Sequence, residues 1–144
     1  MMDKTIETPH EAVDGIHDGA TVMIGGFGGA GLPVELVHAL IDKGAKDLTI
    51  VNNNAGSGDV GIAAMIRRGM VRKVICSFPR SADPRAFNER YLAGEIELEI
   101  VPQGTLAERI RAGGAGIPAF YTPTAYGTDL GGGKPVAEFD GRPY

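Results

Sequence analysis

Short apolar runs alternate with helix-length amphipathic stretches along this chain, and that alternation most limits its fold. Ala20 to Ile24 (ATVMI) is an apolar run of strand length. Pro33 then opens VELVHALIDKG, where Leu36, Val37, Leu40 and Ile41 share one helical face and Gly44 supplies the stop. Leu48 to Asn52 (LTIVN) reads as a second strand, and Val60 to Arg68 as a helix ended by Gly69. Arg72 to Ser77 reads as a third strand, and Ser81 to Leu92 as a helix ended by Gly94. Glu95 to Val101 alternates strictly, so Ile96, Leu98 and Ile100 point one way and three glutamates the other. Two capping boxes, at Thr8-Pro9-His10-Glu11 and Thr105-Leu106-Ala107-Glu108, mark further helix starts, the second running through Arg111. Past Gly113 the chain is loop-like, until a strand begins near FDGRPY. The expected fold class is α/β, a mainly parallel sheet with helices on both faces, in a single domain over 1–144.

Ligands of such sheets bind beyond the carboxyl ends of the strands. The segments to inspect are therefore Gly25–Gly31, Asn52–Gly58, Ser77–Ser81 and Pro102–Gly104. Composition matters here in one respect: the 22 glycines cluster rather than repeat, so a collagen-like chain is excluded and close backbone approach is indicated. Net charge is −4 with no strongly basic stretch, which argues against nucleic acid as the main partner. The one cysteine, Cys76, allows no internal disulfide. No apolar run approaches membrane-spanning length and the N-terminus has no signal-peptide core, so the expectation is a cytoplasmic protein without a membrane partner. His10, His17 and His38 lack metal-ligand spacing, and no metal site is expected.

Gly26-Phe27-Gly28-Gly29-Ala30-Gly31 satisfies the G-x-G-x-x-G pattern between a strand and a helix. A dinucleotide site also expects an acidic residue about 20 positions on, to hold a ribose hydroxyl. The second strand ends in Asn52-Asn53-Asn54 instead, which argues against an NAD-type oxidoreductase. A tight turn packing strand on helix explains the glycines equally well.

The longer string Asp18 to Pro33, DGATVMIGGFGGAGLP, resembles the signature of family I coenzyme A-transferases. Asn53-Asn54-Ala55-Gly56, PQGTLAER over 102–109 and GGAGIPAFYTPT over 113–124 agree with it, in order, from about Ile6 to Thr128. The family usually carries glycine where Ala125 stands. Cys76-Ser77-Phe78-Pro79-Arg80 and the ending DGRPY look more like the 3-oxoadipate branch than the succinyl-CoA:3-ketoacid branch.

The resemblance implies the alpha-type subunit of a 3-oxoacid CoA-transferase. CoA would move from succinyl-CoA to 3-oxoadipate, with an acetoacetate-type transferase subunit or a non-catalytic acyl-CoA-binding module as alternatives. Coenzyme A would be a substrate, with no cofactor held permanently. The nucleophilic glutamate is expected on a beta-type partner subunit. Family subunits continue well past the last residue here, so a C-terminal tail is expected to be missing. In this chain the resemblance points to Gln103 as the oxyanion or substrate contact. Gly25, Gly26, Phe27, Gly28, Gly29, Ala30, Gly31, Asn53 and Asn54 would line the CoA or acyl group.

Overall fold

A computed structural model describes residues 2–144. The chain forms two compact units, one ending at Glu99 and the other running from Ile100 to Tyr144.

The first unit begins with α1 (Pro9–Val13). Thr8 caps it, its side chain accepting from Glu11 N, with Pro9 in the first turn. β1 (Thr21–Met23) follows, then α2 (Val34–Lys43), which buries Val37, Ala39, Leu40 and Ile41. Gly44 closes α2 in the left-handed region at φ 79°, its N–H on the carbonyls of Leu40 and Ile41. β2 (Leu48–Val51) is buried at all four positions, as expected of a strand with neighbours on both sides. α3 (Ile62–Arg67) is shorter than the 60–68 expected from sequence, because Gly61 stands at φ 58°, ψ −130° and cannot belong to a helix. β3 (Val71–Cys76), α4 (Arg85–Leu92) and β4 (Glu97–Ile100) complete the series. The sheet runs β1-β2-β3-β4, and β2 is parallel to both β1 and β3.

α4 starts four residues later than the sequence pattern places it. Pro84 disfavours helical geometry in the residue before it. Asp83, directly ahead, is committed elsewhere: its carboxylate takes the Arg85 guanidinium at 2.6 and 2.8 Å. The strict alternation before Val101 has the expected consequence on its polar side, where Lys73 of β3 reaches Glu97 at 2.8 Å and Glu99 at 3.0 Å.

The core of this unit is Leu40, Leu48, Ile50, Ile62, Met65, Ile66, Val74 and Cys76, each at most 2% exposed. It is built from the apolar faces that the 3.6-residue and strand-length patterns marked.

The second unit holds α5 (Gln103–Ala115), a 3-10 turn (Asp129–Gly131) and a hairpin of β5 (Glu138–Phe139) with β6 (Arg142–Pro143). α5 corrects two expectations. Thr105 does not cap it; Pro102, extended at φ −51° and ψ 139°, precedes the first turn, and its carbonyl accepts Leu106 N at 2.8 Å. The helix also runs through Gly113 and Gly114 and stops only where Gly116 turns left-handed at φ 71°. The hairpin turns on Asp140 and Gly141, both at positive φ, as a two-residue Asp-Gly connection requires. Ala125 also stands at positive φ, 71°. A glycine at this position would adopt the same backbone without strain.

Candidate functional site

Three loops leave the carboxyl ends of β1, β2 and β3, and hydrogen bonds join them. In the first, Phe27 and Ala30 exchange backbone bonds, Phe27 N to Ala30 O at 2.9 Å and Ala30 N to Phe27 O at 3.1 Å. Gly28 and Gly29 therefore form the tip of a tight turn. Glycine is required at Gly26: φ is 119°, and a Cβ would sit 3.1 Å from Leu32 N and 3.2 Å from Ala30 O. Phe27 is left 68% exposed. The N–H groups of Gly28 and Gly29 are exposed and have no protein partner, so this tip offers two adjacent donors to an anionic oxygen. α2 begins only at Val34, so the loop doubles back before the helix instead of opening directly into it. In the dinucleotide fold the helix start itself receives the pyrophosphate.

The second loop carries the three asparagines, and they are not equivalent. Asn52 is buried; its Nδ2 donates to Ile24 O at 2.6 Å and Gly25 O at 3.3 Å, and its Oδ1 accepts Asn54 N at 2.9 Å. Asn54 is buried as well, with Nδ2 on Gly28 O at 3.4 Å and Oδ1 accepting Gly56 N at 2.8 Å. These two amides tie the second loop to the first. Asn53 is half-buried, its Oδ1 accepts Ser77 Oγ at 2.8 Å, and its Nδ2 has no protein partner. The structure thus separates two residues that the sequence grouped together: Asn54 supports the glycine loop, and Asn53 keeps a donor to spare. Asn52 is not marked as a site residue by its sequence, because strand length alone makes it the end of β2.

The third loop is joined to the second by Ser77 N and Phe78 N, which donate to Asn53 O at 3.3 and 3.1 Å. Ser57 Oγ accepts Asp83 N at 3.2 Å, and Gly58 N donates to Asp83 O at 3.0 Å. Arg85 holds the Asp83 carboxyl down to about 2, so it stays ionised. Phe78 is 59% exposed, a second large apolar side chain on these loops. Cys76, just ahead, is fully buried, and burial pushes its thiol up to about 11, which leaves it unsuited to nucleophilic work.

Gln103 belongs to the second unit. It is exposed, and it is the first residue of α5 rather than a member of a loop. The second unit also contains an open cavity of about 520 Å³, with Arg109, Phe120, Tyr126, Lys134 and Tyr144 among its lining. Among the described residues, no group of three or more His, Cys, Asp or Glu side chains is placed to hold a metal ion, and no helix is long and apolar enough to cross a membrane.

Comparison with known proteins follows the same lines. The coenzyme A transferase family model matches residues 6–144. The chain belongs to this family. It is 59% identical over 144 residues to the A-type subunit of 3-oxoadipate CoA-transferase from Pseudomonas putida, covering all of this chain and 62% of that protein. The A-type subunit of a probable succinyl-CoA:3-ketoacid coenzyme A transferase from Bacillus subtilis is 47% identical over 143 residues, 99% of this chain and 59% of that one. The chain thus spans about three fifths of the length of these relatives. Among solved structures, an acyl-CoA transferase of Escherichia coli O157:H7 in a thioester complex with CoA superimposes with a TM-score of 0.75. It is 25% identical and covers 96% of this chain and 31% of that one. For this member of the coenzyme A transferase family, the α/β architecture read from the sequence is the family's own.

Proposed function

We propose that this chain is the A-type part of a two-subunit 3-oxoacid CoA-transferase that takes CoA from succinyl-CoA and delivers it to 3-oxoadipate. The observation that carries the proposal is 59% identity over the whole chain to a relative of that name. A beta-type partner supplies the nucleophilic glutamate. Its carboxylate attacks the thioester carbonyl, CoA leaves as thiolate, and a mixed anhydride forms. The thiolate attacks the glutamyl carbonyl, releasing succinate and leaving a glutamyl-CoA thioester. The acceptor carboxylate repeats the exchange in reverse and departs as its CoA thioester.

Each step passes through a tetrahedral oxyanion, and this chain's share is to stabilise it. The free N–H groups of Gly28 and Gly29 and the Asn53 amide are donors of the right kind, and Gln103 is the donor proposed from the second unit. Phe27 and Phe78 offer apolar surface to the thioester.

The test is reconstitution. The chain co-expressed with a beta-type partner should transfer CoA from succinyl-CoA, with higher kcat/KM for 3-oxoadipate than for acetoacetate. The separately purified chain should have no activity. Preference for acetoacetate would move the proposal to the 3-ketoacid reading, and turnover by the single chain would end the assignment of the nucleophile to the partner.

A further inference from the structure

Of the asparagines that follow β2, only Asn53 leaves its side-chain nitrogen unspent, and one neighbour decides how that side chain is held. The main chain at Asn53 is fixed from β3's loop: its carbonyl accepts Ser77 N at 3.3 Å, Phe78 N at 3.1 Å and Ser77 Oγ at 3.0 Å. The side chain has one contact, Ser77 Oγ to Oδ1 at 2.8 Å. The terminal torsion of asparagine is broad and nearly two-fold. Without a partner, the amide turns over at small cost and exchanges Nδ2 for Oδ1. An oxyanion would then meet an acceptor where it needs a donor. A hydroxyl donating to Oδ1 selects one of these two orientations.

We propose that Ser77 is a positioning residue for the transferase reaction, its hydroxyl holding the Asn53 amide so that Nδ2 stays presented to the oxyanion. This rests on the role given to Asn53 above. Ser77 touches no reacting atom; it acts through Asn53. Geometry that is set before the reaction is what gives an oxyanion donor its effect, because no reorganisation is then needed as charge develops.

The experiment uses the two-subunit complex with Ser77→Ala, Ser77→Thr, Asn53→Ala and the double variant Ser77→Ala/Asn53→Ala, with kinetics expressed per mole of folded complex. Ser77→Ala should lower kcat about 10- to 100-fold with KM little changed, the range expected of a misplaced catalytic contact. Ser77→Thr keeps the hydroxyl and should restore most of that loss. In the Asn53→Ala background, removing Ser77 should cost less than about twofold, because the residue it positions is gone. An equal fractional loss in both backgrounds would make Ser77 merely structural and overturn the proposal, as would near-normal kcat in Ser77→Ala. Near-normal kcat in Asn53→Ala would overturn it by removing the donor while leaving the transferase reading intact. A wild-type complex without transferase activity would overturn that reading and this proposal with it. Should Ser77→Ala fail to assemble, Ser77→Cys keeps the volume with a weak donor, and unchanged kcat there refutes the proposal equally.

Discussion

Replacing Asn52 with leucine tests whether the join between β2 and the glycine loop depends on this one side chain. Leucine is close in volume and carries no polar atom. It removes the 2.6 Å bond to Ile24 O, the 3.3 Å bond to Gly25 O and the 2.9 Å bond from Asn54 N. Ile24 and Asn54 are both buried, so a carbonyl and an N–H are left without partners away from water. Each such orphan costs about 1–3 kcal/mol. Gly25 is exposed, and its carbonyl recovers a bond from water. The added apolar burial returns about 1 kcal/mol. The net expectation is a loss of about 3 kcal/mol, or about 6–12 °C in Tm for a chain of this size. Urea unfolding followed by circular dichroism measures the loss. Hydrogen exchange over residues 25–31 should rise at the same time, since the loop has lost its tether. A loss below about 1 kcal/mol, with unchanged exchange in that segment, would refute the claim that the Asn52 amide holds the two loops together.

Other perturbations separate chemistry from scaffold. Gln103→Ala in the two-subunit complex should lower kcat about 100- to 1000-fold, the effect of losing one oxyanion donor, with little change in melting because the residue is exposed; near-normal kcat would make it a simple helix-start residue. Ala125→Gly should stabilise the protein by about 0.5–1 kcal/mol in thermal melts, since φ of 71° strains alanine and suits glycine; a destabilised variant would contradict this. Cys76 should resist alkylation at pH 8 in the folded protein and react on unfolding. With the thiol pushed up to about 11, roughly one in a thousand is thiolate at that pH; rapid native labelling would contradict its burial.

Periodicity and punctuation alone determined much of this protein. The first-unit strands and helices follow from where apolar residues recur and where glycine or proline interrupts them, because local sterics and one-sided burial act over a few residues. Thr8 and Gly44 did as caps what their chemistry predicts. The string from Asp18 to Pro33 carried the family, because close backbone turns tolerate few substitutes for glycine. Tertiary structure decided the rest. A capping box is a local pattern, and at Thr105 it lost to a helix already begun at Gln103 behind an extended Pro102. Three identical residues, Asn52, Asn53 and Asn54, were indistinguishable in the string. Their roles separate only when β2 lies between β1 and β3, because the partners they find are Ile24 and Gly25 at 28 and 27 positions away, Ser77 at 24 and Gly28 at 26. No local rule sees across such a distance; the parallel sheet brings those groups together and assigns two of the amides to the scaffold and one to the ligand side.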